Sequence, residues 1–588
     1  MAFSESPAIT VREIDLSGVV PSVSSSTGAI AGNFSWGPVL KPIKVDNEAT
    51  LVDRFGTPDT TNTFDFHSAA YFLKYTNALQ VVRVVDSNGK NAYNGFRSGF
   101  GGGNAPLIRD LDHFNTISAA QDSDGRNFIA KYAGALGNSL EIQICPFSTG
   151  DSDFDTWSYR GNFDAAPGTS EFATKAKASN DEVHVAVLDK NGAFTGTKNT
   201  VLETFSFLSL GSNAKSNDGT SNYIKDVINS RSEYVWHAGF DSDFSKAIAG
   251  SKAAAGTQID SGDNFALQAS LMDVHSYKLD SGANSTFVGT GGLGKFLEGY
   301  TKFNDKDTIQ VDFLIAPRAS TRTSSTTVTN NLVAIAQTTR KDCVVVTSPP
   351  VADVITTTSP VTNTVAAANT YTSSSYLIVD NKFLKIYDKY NDQYIFIPAA
   401  SSTAGIMANT DFVAAPWFSP AGPRRGQYLG ITALAYTPTK SERDTLYKAG
   451  INPIANLPGQ GVLLFGDKTK LARPSAFDRI NVRRLFLVIE RAIALAARNV
   501  MFEFNDEFTR AEFVGVVEPF LREIKGRRGI TDFRVVCDET NNTAAVIDRN
   551  EFIANILIKP ARSINFVTLN FVAVRTGVDF EEIAGIGF

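Results

Sequence analysis

The chain holds 3 cysteines, 4 tryptophans and 5 histidines in 588 residues, and these scarcities exclude whole classes of chemistry. Cys145, Cys343 and Cys537 lie far apart with no C-x-x-C spacing, which argues against a zinc site or a disulfide framework. Each sits in an apolar strand-like run (EIQICPF, DCVVVTS, RVVCD) and reads as a buried small hydrophobe in a reducing compartment. His67, His113, His184, His237 and His275 are scattered without H-x-x-x-H or H-E-x-x-H spacing, so neither a metal site nor a histidine triad is expected. No G-x-S-x-G elbow occurs, and carboxylate pairs such as Glu581 with Glu582, or Asp506 with Glu507, read as solvated surface. No run approaches the roughly 18 uncharged apolar residues of a membrane span. The best candidate, LFLVIERAIALAA, is interrupted by Glu490 and Arg491. The opening MAFSESPAITVREIDLSG lacks a basic n-region and an apolar h-region, so a soluble product of a cytoplasm is expected. No catalytic residue, cofactor or metal is assigned.

What remains is ample material for folding. Hydrophobic residues make up 43% of the chain, and its length suggests about three or four domains. The net charge of −6 implies no polyanion partner for the chain as a whole. Residues 473–562 carry 15 basic and 13 acidic side chains, which makes this C-terminal region the candidate for contact with an acidic partner.

Residues 1–22 read as an extended arm. Pro7 and Pro21 bracket ITVREIDLSGVV, in which Ile9 and Val11 alternate with Thr10 and Arg12, and SVSSSTG follows as a polar hinge. Residues 23–95 and 306–400 read as one α/β unit split by an insertion. LQVVRVVD is a near-continuous apolar strand, and TIQVDFLIAP, a helix near 328–337 and CVVVTSP form a strand–helix–strand unit that implies a buried parallel sheet. The insertion, residues 96–305, is polar and β-rich, with a hairpin turn expected at Asn191 and Gly192.

Residues 401–563 follow as an α+β region. Ser475 and Asp478 have capping-box spacing ahead of a helix whose stripe is Val482, Leu485, Phe486, Ile489, Ile493 and Ala496, with Arg479, Arg483 and Arg491 largely off it. A second helix, opened by Thr509 and Glu512, has Phe513, Val516, Val517, Phe520, Leu521 and Ile524 on its apolar face and a kink expected at Pro519. It ends in Arg522, Lys525, Arg527 and Arg528. That cluster suits an acidic protein partner or a helix-dipole cap. Nucleic-acid binding would want aromatic interleaving or a basic groove, and neither accompanies it. In the C-terminal strand, residues 564–588 with their arm, Phe566 faces one way and Val567, Leu569 and Phe571 the other.

STFVGTGGLGKFLEGY is the best decoy. Gly289, Gly291 and Gly294 satisfy G-x-G-x-x-G, with Asp312 where a ribose-binding acid would fall. Phe296 stands where a Walker motif needs a hydroxyl, and a tight strand-to-helix turn is the simpler reading.

SAFDRINVRRLF, RVVCDETNNTAAVIDRNEF and IKPARSINFVTLNFVA resemble the C-terminal domain of the contractile tail sheath proteins of large myovirus-type bacteriophages. YDKYNDQYIFIPAASSTAGIMANTD with WFSPAGPRRGQ resembles the middle of that family, and IAGNFSWGPV, LVDRFGTP and LQVVRVVD its N-terminal part. The resemblance implies a split α/β core with an outer β-rich insertion, an inner C-terminal α+β domain, and extended arms at both ends. It implies self-assembly as stacked hexameric rings around a tail tube, with baseplate and tail terminator proteins as further partners and no direct contact with nucleic acid or membrane. Arg522, Lys525, Arg527 and Arg528 then become candidates to face the tube, and Ile9, Val11, Phe566, Val567, Leu569 and Phe571 candidates to link subunits. A surface or receptor-binding structural protein, or more remotely a nucleotide-binding enzyme, would share parts of this pattern.

Overall fold

The computed structural model describes residues 26–94, 107–119, 128–147, 152–240, 253–266, 273–287 and 289–564. The chain divides into two compact units, one of residues 21–416 and 420–494, the other of 417–419 and 495–588 with residues 1–20.

The first unit is organised by a six-stranded sheet in the order Leu377–Val379, Val344–Thr347, Phe313–Ile315, Gly28–Gly32, Leu79–Arg83, Pro42–Val45. All pairings are parallel except the last, which is antiparallel. The three strands at one side come from residues 28–83 and the three at the other from 313–379, so the sheet is split in sequence but continuous in space. Its central strands are largely apolar because both faces are covered, while the edge strand Pro42–Val45 exposes Lys44. On one face Phe66, Phe72, Ala404 and Met407 pack on Ile30, Val81 and Phe313. On the other, Tyr300, Val328 and Leu332 pack on Ala29, Ala31, Val82 and Leu314. Gly299 permits the second contact: a Cβ there would lie 2.5 Å from Val84.

Residues between these halves build a four-stranded antiparallel sheet and a three-stranded antiparallel sheet over their own core of Leu140, Ile142, Val185, Val187 and Val235. The expected two-residue turn at Asn191 and Gly192 is instead a longer loop, since Asp189 pairs with Thr200. The Asp189 carboxylate organises it by accepting from the backbone N–H groups of Ala193, Phe194 and Thr195. Arg83 ties this part to the sheet. It is 2% exposed and donates to the carbonyls of Phe34, Ser35, Gly37 and Ala133. Burial without a carboxylate partner lowers its pKa to about 9.

The glycine motif forms no loop. Gly289, Gly291 and Gly294 lie within the Gly289–Thr301 helix, and Lys295 is paired with Glu298 at 2.7 Å. Asp312 is buried, accepting from Thr27 N–H and from Arg491. The cysteines are buried and free, and burial raises the Cys145 and Cys343 thiols to about 12. His67 lies 3.0 Å from Asp388, and His184 bonds backbone on both sides of its ring. Among the described residues no helix is long and apolar enough to cross a membrane.

The helix expected from Ser475 starts later, as Ile480–Ala497. Ser475 caps only a short 3-10 turn, accepting from Phe477 N–H, because that turn breaks before the α-helix begins. The arginines placed off its apolar stripe are not surface groups. Arg483 and Arg484 are 5% and 4% exposed. Arg483 stacks on Tyr376 and bonds its hydroxyl, Arg484 meets Asp411 at 2.6 Å, and Arg491 meets Asp312. Arg479 pairs with Asp467 at 3.0 Å. The helix is enclosed on its flanks as well as its apolar face, and long guanidinium stems reach buried acceptors from there.

Removing one member of such a pair strands its partner. Arg491→Leu is expected to lower the unfolding free energy by about 3–5 kcal/mol, and adding Asp312→Asn to recover part of it. Burial already raises the Asp312 pKa against the pull of Arg491. An acid whose folded pKa is raised binds its proton first in the native state, so the Arg491→Leu deficit should shrink as pH falls. Denaturant melts of the three proteins across pH measure both effects.

Candidate inter-subunit and tube-facing surfaces

The second unit is built on the Glu507–Gly526 helix and a two-stranded ribbon. Asp506 caps the helix by accepting from Thr509 N–H at 2.8 Å, so the expected box at Thr509 and Glu512 sits one turn inside it. An aspartate three residues earlier outcompetes the threonine for the same free N–H groups. Of the expected stripe Phe513, Val517, Leu521 and Ile524 are buried, while Val516 and Phe520 at its margin are half-buried. Pro519 does not end the helix. It and Gly515, whose carbonyl it deprives of its helical N–H partner, both lie on the exposed face.

The helix closes at the basic cluster. Arg528 adopts a left-handed conformation (φ 66°), and Gly529 N–H bonds back to the Ile524 carbonyl. Arg527 lies over the Trp417 ring at 5.1 Å, and its carbonyl accepts from the indole N–H. Three members of the cluster have carboxylate neighbours: Arg522 with Glu518 at 3.5 Å, Lys525 with Asp532 at 3.2 Å, Arg527 with Glu523 at 3.4 Å. The bond from Lys525 holds the Asp532 pKa below its ordinary value. The local positive charge is therefore smaller than the sequence cluster suggests, because only Glu523 stands near it in the linear order while folding brings in Asp532.

The ribbon pairs Ile530–Val536 with Asn555–Pro560 antiparallel, with an irregularity between Ile530 and Asp532. Among the described residues neither outer edge has a further strand. Along Asn555–Pro560 half-buried and exposed positions alternate, and Leu557 is 57% exposed. Two strands alone are marginal in water, and this pair leans on the helix through Ile524 and Gly529. Ile9, Val11, Phe566, Val567, Leu569 and Phe571 lie outside the described residues.

A feature absent from the sequence reading stands at the other end of the helix. Met501, Phe502, Phe504 and Phe508 are 58%, 100%, 84% and 78% exposed. The only signal in the sequence is the run MFEFNDEF, four large apolar residues interleaved with acids.

Residues 472–573 match the phage tail sheath C-terminal domain, 298–470 the phage tail sheath protein central domain, and 25–84 the tail sheath protein Gp18 domain III N-terminal region. The chain is 32% identical to the tail sheath protein of Enterobacteria phage T4, covering 99% of each. It is 31% identical to that of Vibrio phage KVP40, again over 99% of both. The fold is similar to that of a sheath tail protein from Listeria innocua, with a TM-score of 0.54 at 14% identity, covering 92% of this chain and 93% of that one. The glycine helix and buried Asp312 leave the nucleotide pattern without its loop, while the ribbon and basic helix end fall in the C-terminal match. This chain belongs to the contractile tail sheath proteins of bacteriophages.

Proposed function

We propose that copies of this chain stack as hexameric rings around an inner tail tube, part of the virion tail, in a long state set at the baseplate and bounded by a terminator. Contraction then drives the tube through the host envelope. The observation that supports this reading is the ribbon, neither edge of which carries a further strand among the described residues. Strands carrying Ile9 and Val11, and Phe566, Val567, Leu569 and Phe571, add to those edges from neighbouring copies by β-augmentation. Main-chain hydrogen bonds join the subunits while the polar hinge after each arm lets the bodies turn. A contact of this kind does not close on itself and builds a helical filament. Contraction is a shift between two packings of the same bodies, with no nucleotide consumed. A surface or receptor-binding protein would have no use for such edges, and electron microscopy separates the two readings, since only a sheath subunit forms tubes.

Three outcomes are expected. Deleting residues 1–20 leaves a soluble, cooperatively melting monomer that forms no tubes, and normal tubes from it would refute the arm's role. Limited proteolysis of assembled tubes cuts first within residues 96–305, which the proposal places outside, whereas cleavage confined to 401–563 would invert the geometry. Arg522 and Arg528, at the basic helix end, face an acidic tube. Each exposed pair contributes only about 0.2–1 kcal/mol, repeated in every subunit, which suits a contact that must release. Arg522→Glu with Arg528→Glu should impair assembly on tubes, reduce its salt dependence and leave tube-free polymer intact.

A further inference from the structure

The exposed aromatic segment before the Glu507–Gly526 helix has no role in the surfaces above, yet it is firmly built. Asn505 Nδ2 donates to the Glu551 carbonyl at 2.8 Å, and Arg510 donates to Asn505 Oδ1 at 3.0 Å. Asp506 caps the helix, and Phe502 is held at φ 73°, a left-handed conformation that costs a bulky residue energy. A segment fixed this way with Phe502 wholly exposed is a preformed knob. Glu503, Asp506 and Glu507 make it acidic as well as apolar. Three phenylalanines bury roughly 450–750 Å² when covered, most of the face of about 800 Å² that a standard interface needs per partner.

A patch of opposite character lies in the other unit. Phe465 is 47% exposed, with the Arg443 guanidinium 5.9 Å from its ring. The turn carrying Arg424 is closed by Gly426 N–H to the Gly422 carbonyl and bonded to Leu464 on both sides. These bonds hold the turn that carries the exposed Arg424 against Leu464, the residue before Phe465. Among the described residues no carboxylate pairs with Arg424 or Arg443. Phe502, Phe504, Phe508, Phe465 and Arg424 are exposed, and Arg443 is half-buried.

We propose that the acidic aromatic knob at 501–508 of one copy docks on the Arg424, Arg443 and Phe465 patch of another copy. The acids pair with the guanidinium groups, while Phe504 and Phe508 stack on Phe465 and on the arginine planes. The contact is heterologous, knob to patch, and propagates along an open assembly. It is independent of the ribbon edges and of the basic helix end, so it adds a second joint to each subunit.

Charge exchange in the full-length chain tests it. Glu503→Lys with Glu507→Lys, and separately Arg424→Glu with Arg443→Glu, should each raise the concentration needed for tube-free polymer by about tenfold or more. Melting of the monomers should stay unchanged. All four substitutions in one chain should restore polymerisation, because the exchanged ends again complement each other. If either reversal alone polymerises at the wild-type concentration, or the knob reversal fails only on tubes, the proposal is overturned. Should an arginine variant fold poorly, Phe504→Cys with Phe465→Cys decides. Oxidation of its polymer should give a disulfide between copies, and a disulfide within one chain, or none, would refute the contact.

Discussion

A strand edge leaves a row of backbone N–H and C=O groups that demand partners, and most folds cover or blunt such edges. Here Ile530–Val536 and Asn555–Pro560 pair only with each other among the described residues. Only Lys559 and the terminal Pro560 could blunt the Asn555–Pro560 strand, and Leu557 stands open ahead of them. In the proposed assembly that deficit becomes the joint between subunits. Backbone pairing supplies adhesion that does not depend on particular side chains meeting, so the bodies on either side are free to move while it holds.

Motion of that kind requires bodies that do not deform. The split sheet provides one, covered on both faces and pinned by arginines instead of by apolar contact alone. Arg83 gathers four carbonyls, and Arg484 and Arg491 bind Asp411 and Asp312 beneath the Ile480–Ala497 helix. Buried charge of this sort is costly to break and specific in geometry, which favours a single arrangement of helix on sheet. The second unit is lighter, one long helix against a ribbon, and carries its unmatched groups on the outside.

Much of this was legible in the chain. Runs such as LQVVRVV and CVVVT are apolar at most positions without strict alternation, as a strand covered on both faces requires, so the parallel sheet and its split followed from pattern. The buried face of the Glu507–Gly526 helix followed from spacing. Other features depend on distant partners that periodicity does not encode. Asp532 neutralises Lys525 across a turn, and Arg483 looks like a surface residue until Tyr376 is brought beneath it. The Ser475 box and the Asn191 and Gly192 turn misled because a local signal was satisfied by a smaller element, a 3-10 turn in one case and an Asp189-centred loop in the other. The exposed phenylalanines at 502, 504 and 508 were visible as a run, but Met501, Phe504 and Phe508 fall at i, i+3 and i+7, which fits a buried helical face equally well, so only the fold shows that they face outward.

Hydrogen–deuterium exchange on the monomer and on assembled polymer tests the central claim most directly. If the ribbon edges are the joints, the outward-facing amides of Ile530–Val536 and Asn555–Pro560 exchange freely in the monomer and become strongly protected in the polymer. Equal exchange of those amides in both states would contradict the account.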